Sequence, residues 1–571
     1  MSVIEDVIPH GGGIAKPKLP ALTALRFFAA ALVVYHHLQV YLWLPPLHDL
    51  SVMSQGVSIF FVLSGFILTY TYPELADWAA KKRFFRARFA RIWPVYLASI
   101  VLAVIVNPFS VTSLDAWALV RRGVINLLGL QSWSPAGKAF FSINGPSWSV
   151  STEIFFYALF PFLVQGFART WWVKLLSTFA YVVLVIVAVL KFDIPALGPG
   201  LEYSINSFAL LYVSPYARIF EFVCGMCAAW GWQRFSLLNR TGAFYVTALE
   251  VVALGLLMFN GVVAHALFRA FPGLNNLPFI IWYGQGAGAA IPSATFMVAL
   301  ASGRGKVASL ISAPWLLMLG EVSYAIYLIH YPVLQWFSKM LPRVADEISW
   351  GTGLLLLSAI FLTAHIIWIL VERPCREMLM GGRKYYVRSN GDGFLNPSWK
   401  VAAVDVILLA CVLAFVFLKA SIPGSLGAGA VRAMAEIPDD IRGARFGSVA
   451  ELKGYYFVER GDGATLHLIW EALGVVDRNT SFAVHLVQSP EGNPVSQGDY
   501  IGKRIATRDK QLFEDSVVLW GGALKSACYI AVGIYPTGTG GLVSISHGPT
   551  DLGGRRLLIP VPLSLNGKCN L

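Results

Sequence analysis

The chain has 571 residues, of which 56% are hydrophobic and only 13% are charged. Soluble proteins carry about 25% charged residues, so this composition argues against a set of soluble domains and predicts a protein embedded in a lipid bilayer. The formal net charge is +12, which in a membrane protein reflects basic cytoplasmic loops and does not predict a nucleic-acid partner.

The N-terminal segment, residues 1–20, contains acidic residues, prolines and a run of glycines. It lacks the basic start and short apolar core of a cleaved signal peptide, so we expect a disordered cytoplasmic tail. Eleven apolar runs follow, and each predicts a membrane-spanning helix. They lie at about residues 24–44, 55–72, 92–107, 147–167, 173–190, 207–230, 243–264, 281–301, 314–338, 351–371 and 401–419.

The distribution of Lys and Arg predicts the orientation of these runs. Residues 81–91, after the second run, hold six basic residues, and residues 373–400, after the tenth, hold another six. Cytoplasmic loops are enriched in Lys and Arg, so we expect a cytoplasmic N-terminus. An odd number of spans then places the C-terminus outside the cytoplasm.

The sequence changes character after Lys419, where short apolar segments alternate with turns and predict the strands of a β-sandwich. The fold class that we expect is an all-α polytopic membrane bundle followed by a small extracytoplasmic all-β sandwich-like domain. Its parts are a bundle of about ten helices at 21–380, a cytoplasmic linker at 381–400, an eleventh span at 401–419, a linker at 420–450 and the β-rich domain at 451–571.

The six cysteines are too few for a disulfide scaffold. Cys224 and Cys227 lie in an apolar run without a second pair, whereas zinc sites need three or four protein ligands, so we expect no metal. Cys528 and Cys569 fall in the polar C-terminal part, where they could form a disulfide if that part lies outside the cytoplasm.

The first apolar run carries two ionisable residues that share one helix face. Arg26 and His37 are eleven residues apart, about three helical turns plus roughly 20°, which separates their Cα atoms by about 16 Å along the axis. Charge at membrane depth is costly and usually faces a bundle interior or a watery cavity. Histidine is suited to act as a general base near neutral pH. A polar pair satisfied by neighbouring helices is the alternative interpretation.

Four more polar residues in or beside apolar runs are candidates for the same site. Glu153 is a lone carboxylate that could orient a histidine or pair with an arginine. Ser64 lies among small residues, for which helix packing is the stronger interpretation. Arg88 and Arg91 lie in a basic, aromatic-rich segment and suit phosphate groups, which arginine contacts bidentately. We expect this segment also to set the topology and to anchor to anionic lipids.

Three further groups of polar residues lie in later runs. Trp148 and Ser149 fall near the predicted outer end of the fourth run, where they could contact a sugar. Arg218 and Glu221 are spaced i, i+3, which favours an ion pair on one helix, so a structural role is the stronger interpretation. A polar stripe of about 60° on the ninth run could line a cavity. The stripe consists of Ser323, Tyr327 and His330.

These residues lie in motifs that resemble the membrane acyltransferase-3 family. The first is an Arg, ten residues and a His in the first span, matched by Arg26 and His37. The other segments that resemble the family are SGF in the second span, FRARFARIWPVY, GPSWSVSTEIFFYALFP, PYARIFEFVCGM, LGEVSYAIYLIHYPV and VERP. Together they cover about residues 20–375 in the family's order.

The resemblance implies an enzyme that moves an acyl group, expected to be acetyl, from cytoplasmic acyl-CoA to a hydroxyl of an extracytoplasmic or lipid-linked glycan. It implies catalytic roles for Arg26 and His37, to which we add Glu153, and a location in the bacterial inner membrane. Acetyl-CoA would be the donor substrate, and the remaining candidates would bind donor or acceptor. Direct attack by the acceptor and an acyl-enzyme both remain open.

Two other interpretations remain. A transporter or flippase of a solute or lipid-linked saccharide could use the same polar stripe as a path. Alternatively, the C-terminal domain could be a binding module for which the helices are only an anchor, although several intramembrane charges exceed what an anchor requires. Simple family members lack the eleventh span and the external domain, and residues 421–571 contain no motif that predicts a second catalytic site.

Overall fold

The computed structural model of the chain describes most of the predicted helices and strands. The described residues are 17–42, 52–107, 116–135, 140–195, 205–235, 238, 241–260, 263, 277–284, 286–340, 350–381, 399–421, 434, 437–460, 463–473, 481–489, 494–501, 512–519, 527–535, 542, 544–547, 549–550 and 554–562. They fall into two compact units, one of helices and one that contains all the strands. Most of the predicted tail at 1–20 and of the linker at 381–400, and part of the linker at 420–450, lie outside the described residues.

The first unit is mostly helical, as predicted. Its helices are α1 (Pro20–Leu42), α2 (Val52–Thr71), α3 (Trp78–Val106), α4 (Ala116–Leu127), α5 (Trp148–Leu163), α6 (Phe167–Lys191), α7 (Pro215–Phe235), α8 (Ala243–Met258), α9 (Ala290–Ala301), α10 (Lys306–Ile311), α11 (Pro314–Met340), α12 (Trp350–Ile367), α13 (Arg373–Leu379) and α14 (Trp399–Ser421). Among the described residues, five helices are long and apolar enough to cross a membrane. They lie at Pro20–Leu38, Trp78–Val106, Phe167–Lys191, Pro314–Ser338 and Gly353–Leu379.

Helices α2 and α7 cross at close range because each presents a glycine to the other. A Cβ atom built on Gly65 would collide with the backbone carbonyl of Phe222, and one built on Gly225 would collide with the carbonyl of Val62. Small residues at such crossings let two backbones approach closely where helices associate without a hydrophobic driving force. This crossing brings Ser58 and Ser64 of α2 beside the polar residues of α5 and α7.

The appended helix α14 contacts α12 through one buried polar pair. His365 Nδ1 lies 2.8 Å from Asp405 Oδ2, and both side chains are nearly buried. The His365 ring also stacks between Phe361 and Trp368, with centroid distances of 5.5 and 5.6 Å. An aspartate on an apolar helix is thus tolerated because a histidine of a neighbouring helix meets it.

The second unit consists of two four-stranded antiparallel sheets. The strands are β1 (Arg445–Phe446), β2 (Ala450–Arg460), β3 (Gly463–Ala472), β4 (Ser481–Val487), β5 (Pro494–Ile501), β6 (Leu512–Leu519), β7 (Tyr529–Tyr535) and β8 (Leu557–Pro560). The sheet orders are β1-β2-β3-β6 and β5-β4-β7-β8. Alternate residues of both sheets, including Leu466, Leu468, Val484 and Ile530, are buried in one shared apolar cluster, as in a sandwich.

Five of these strands, β3, β4, β6, β7 and β8, lie in the short apolar segments from which the sequence predicts strands, and three do not. Strand β1 has too little pattern to predict because it is only two residues long, and β2 because Gly454 and several charged residues interrupt it. Strand β5 is polar, begins with a proline and lies at a sheet edge, so it also shows little apolar pattern. Cys528 is disulfide-bonded, while Cys569 lies outside the described residues.

The glycine crossing of α2 and α7 gives a stability prediction. Gly225→Ala forces a methyl group into the backbone of α2, so we expect it to destabilise the bundle by about 1–3 kcal/mol, as overpacking does. Thermal unfolding of the detergent-purified protein measures this loss. The matched control is Gly231→Ala in the same helix, where the added Cβ meets no atom within 4 Å. A melting temperature equally unaffected in both variants would contradict the tight crossing.

Candidate active site

The structure brings His37 of α1 against a second histidine, His330 of α11. His37 Nδ1 lies 3.2 Å from His330 Nε2, and the ring centroids are 5.0 Å apart. His37 Nδ1 also lies 3.0 Å from the Val33 carbonyl oxygen, one turn earlier in α1. The Nε2 atom of His37 makes no hydrogen bond to any residue that the structure describes. His330 itself is completely buried.

A proline two residues after His330 explains how the neighbouring loop is held at this site. Pro332 has no N–H, so the carbonyl of Leu328, four residues earlier, lacks its helical hydrogen bond. Asn144 Nδ2 instead donates to the Leu328 carbonyl at 3.0 Å and to Ser99 Oγ at 3.2 Å. The turn at Gly145 then lies against the ring of Tyr331, and the centroid of this ring lies 5.3 Å from that of His37.

A second polar cluster, which we call the arginine cluster, surrounds Arg26 on α1. It is defined by Arg26, Arg88, Arg91, Glu153, Tyr157 and Glu321. Arg26 interacts electrostatically with the last four of these groups. Glu153 Oε1 accepts hydrogen bonds of 2.5 Å from both Ser64 and Tyr157. The structure therefore brings together residues of α1, α2, α3, α5 and α11 at this cluster.

Two guanidinium groups of the arginine cluster have no direct anionic partner. Neither Arg26 nor Arg88 forms a hydrogen bond or a close ion pair with any residue in the part of the chain that the structure describes. Arg88 lies over the rings of Tyr72 and Tyr157, 5.8 Å from each centroid, and its Nε atom is buried without an acceptor. Partly buried guanidinium groups whose N–H donors lack acceptors favour an anionic ligand.

Arg91 differs from Arg88 because it is already paired. Its guanidinium forms a hydrogen-bonded ion pair with Glu372, which is completely buried, and it lies 5.5 Å from the ring centroid of Tyr324. This ion pair thus links α3 to the segment after α12 and already engages the guanidinium of Arg91. A role for Arg91 in binding the donor stays a prediction.

The other sequence candidates on α5 and α11 are buried. Ser149 and Tyr327 share a hydrogen bond of 2.6 Å between their hydroxyl groups. Trp148 is 4% exposed and lies against Phe61, with ring centroids 6.3 Å apart. Ser323 is buried and donates to the Gly320 carbonyl of its own helix. Sugar or donor contacts by these residues stay predictions.

Arg218 and Glu221 form the predicted pair on α7, at 2.8 Å between Arg218 Nη1 and Glu221 Oε1. Both side chains are 0% exposed. Arg218 also donates to Ser58 Oγ at 2.9 Å and is held between the rings of Phe61 and Tyr212. This arrangement agrees with the structural role that the sequence favours, and substrate binding by the pair stays a prediction.

Sequence reasoning missed several partners in the arginine cluster. Tyr157 stands four residues after Glu153 and Glu321 directly follows Gly320, so both lie within motifs that the sequence analysis quotes. Helical spacing could have found Tyr157, since residues i and i+4 share a face. Glu372 is 281 residues from Arg91, and no local pattern links them. Across the described residues, no group of three His, Cys, Asp or Glu side chains is placed to hold a metal ion.

Comparison with known proteins identifies the family to which the chain belongs. A family described as an acyltransferase domain, the acyltransferase-3 family, matches residues 19–372, which include both histidines and the whole arginine cluster. The chain belongs to the acyltransferase-3 family. It is therefore an acyltransferase, and the resemblance found in its sequence motifs is confirmed.

Several curated proteins are similar to this acyltransferase. The acyltransferase MdmB of Streptomyces mycarofaciens is 30% identical over 66% of this chain and 95% of its own length. Nodulation protein 10 of Rhizobium leguminosarum bv. viciae is 27% identical over 62% and 92%. The O-acetyltransferase OatA of Staphylococcus aureus is 23% identical over 63% of this chain and 57% of its own length. No solved structure matches the chain.

The pairing of Arg91 with Glu372 gives a testable prediction for this acyltransferase. Arg91→Met leaves a buried carboxylate without its partner, which costs about 3–5 kcal/mol of unfolding free energy. The double variant Arg91→Met, Glu372→Leu removes both charges, so we expect it to recover most of that loss. Thermal unfolding in detergent measures both variants. A double variant as unstable as Arg91→Met alone would contradict a compensating pair.

Proposed function

We propose that this acyltransferase moves an acyl group, expected to be acetyl, from cytoplasmic acyl-CoA to a hydroxyl of an extracytoplasmic or lipid-linked glycan. One observation carries the proposal. Helix α1 holds an arginine without a direct anionic partner among the described residues and, about 16 Å further along its axis, a histidine whose Nε2 is free of hydrogen bonds to them. Helix α1 thus carries both a binding site for an anionic donor and a general base.

The unpaired guanidinium groups support acyl-CoA as the donor. CoA carries a diphosphate and a phosphate, and arginine binds such groups through charge-assisted, often bidentate hydrogen bonds. Arg88 and Arg26 would contact these groups, while Arg91 with Glu372 would hold α3 in position. Tyr72 and Tyr157 keep the guanidinium of Arg88 in place by contact with its faces.

His37 supplies the proton transfer that ester formation needs. Its Nε2 takes the proton of the acceptor hydroxyl as the hydroxyl oxygen attacks the thioester carbonyl carbon. The oxygen–carbon bond forms, the carbon–sulfur bond breaks, and the departing thiolate takes the proton back from His37. Arg26, about 16 Å along α1 from His37, would hold the donor through its phosphates, with Glu153 as its neighbour.

The topology that we propose has eleven spans, a cytoplasmic N-terminus and a β-rich domain outside the cytoplasm of a bacterial inner membrane. Basic residues concentrated at residues 81–91 and 373–400 support this orientation. The disulfide bond of Cys528 also supports it, since disulfides persist mainly in oxidising compartments. In this arrangement the β-rich domain lies on the acceptor's side, where we propose that it holds the glycan.

The names of the relatives support the class of reaction. OatA is named an O-acetyltransferase, which supports transfer of acetyl to an oxygen atom, and MdmB is named an acyltransferase. A transporter or flippase would need neither a thioester donor nor unpaired cations placed for its phosphates, so acyl-CoA binding separates the two functions.

The donor site is tested by acetyl-CoA binding to the detergent-purified protein. Arg88→Gln removes a charged donor of hydrogen bonds, so we expect Kd to rise about tenfold to a hundredfold. The control is Arg83→Gln, the same change at an exposed position of α3, for which we expect an unchanged Kd. Absence of acetyl-CoA binding by the unaltered protein at millimolar concentrations would favour the transporter.

The base is tested by the acetyl content of surface glycans from cells that express each variant. We expect His37→Ala to lower acetylation by at least about a hundredfold, the smaller end of the usual effect of a general base. His36→Ala changes the neighbouring residue of the same type and is expected to retain activity. Full activity of a correctly folded His37→Ala protein would remove His37 from the mechanism.

A further inference from the structure

The contact between His37 and His330 determines which nitrogen of each ring carries a proton. His330 Nδ1 lies 3.2 Å from the carbonyl oxygen of Ile326, four residues earlier in α11. A carbonyl oxygen only accepts hydrogen bonds, so Nδ1 must carry the proton. In a neutral ring the other nitrogen, Nε2, then carries no proton and accepts hydrogen bonds. This acceptor is the atom of His330 that approaches His37.

The same reasoning fixes the tautomer of His37. Its Nδ1 faces two acceptors, the Val33 carbonyl oxygen at 3.0 Å and His330 Nε2 at 3.2 Å. A bare Nδ1 would place its lone pair against both of them, whereas a protonated Nδ1 donates to both. The neutral His37 ring therefore carries its proton on Nδ1 and an unshared electron pair on Nε2.

We propose that His330 is a positioning residue that holds His37 in the tautomer whose Nε2 accepts the proton of the acceptor hydroxyl. This assignment rests on the proposed function, in which His37 is the base. The Val33 carbonyl alone is a weaker guide because it also accepts the backbone N–H of His37 in the regular pattern of α1. His330 supplies the acceptor that is not shared with the helix.

The arrangement performs the orienting task of a buried carboxylate without adding a charge. When His37 Nε2 takes the proton, the ring becomes a cation with a proton on each nitrogen. Its Nδ1–H stays hydrogen-bonded to His330 Nε2, which remains neutral. A carboxylate at this depth would add the cost of burying an anion. Complete burial of His330 and the contact of Tyr331 with both histidine rings keep the acceptor fixed.

The test compares His330→Leu with His330→Gln. Leucine fills the space but accepts no hydrogen bond, while the side-chain oxygen of glutamine can replace the acceptor. We expect His330→Leu to lower kcat about a hundredfold, as loss of an oriented base does, with KM for acetyl-CoA unchanged. We expect His330→Gln to retain most of kcat. Acetyl-CoA binding and thermal unfolding confirm that each variant is folded.

A second readout reports the tautomer without turnover. Solid-state NMR of protein labelled with ¹⁵N-histidine, in lipid at about pH 8.5, two units above the ordinary histidine pKa, distinguishes protonated from bare ring nitrogens. Subtracting the spectrum of His37→Gln assigns the signals of His37. We expect a bare Nε2 in the unaltered protein and in His330→Gln, and a mixture of tautomers in His330→Leu.

The outcomes separate this inference from the function on which it rests. A protonated Nε2 in an active protein, or a kcat and tautomer unchanged in His330→Leu, would overturn the positioning role while leaving the acyltransferase intact. An equal loss of kcat in both variants, with the tautomer preserved, would also overturn it. Full activity of His37→Ala would instead overturn the role of His37 as the base, whatever the tautomer.

Discussion

A charged side chain inside an apolar helix bundle needs polar partners from neighbouring helices. This constraint governs the packing around α1. Acids and hydroxyl groups from three other helices lie around Arg26, with Glu153 hydrogen-bonded to Ser64 and Tyr157. Arg91 requires Glu372 in the same way. The cluster is nevertheless incomplete, because Arg26 and Arg88 have no close anionic partner in the described structure. The structure thus leaves two guanidinium groups without a hydrogen-bond acceptor among the described residues where we propose that the donor phosphates bind.

Local patterns in the sequence predict the parts of this site that lie on one helix. The periodicity of α1 places Arg26 and His37 on one face, and the i, i+3 spacing correctly predicts that Arg218 pairs with Glu221. Contacts between distant residues have no such signal. His330 is 293 residues from His37, and the sequence analysis could assign it only to a polar stripe, without its partner.

Backbone chemistry explains two motifs whose importance is not evident from their side chains. Pro332 frees the Leu328 carbonyl, which Asn144 then binds, so the proline of the segment LGEVSYAIYLIHYPV fixes a loop beside the histidines. Gly65 of the SGF segment permits the close crossing of α2 and α7. The β-rich unit is harder to predict, since the polar edge strand β5 has little apolar pattern to reveal it.

In the mechanism that we propose, α1 carries both the donor site and the base. A cryo-electron microscopy structure of the protein in lipid nanodiscs with acetyl-CoA bound would test this arrangement. We expect CoA phosphates in contact with Arg26 and Arg88, and the thioester carbon beside His37 Nε2 with room for one hydroxyl oxygen between them. Phosphates bound away from the arginine cluster, or a thioester out of reach of His37, would contradict it.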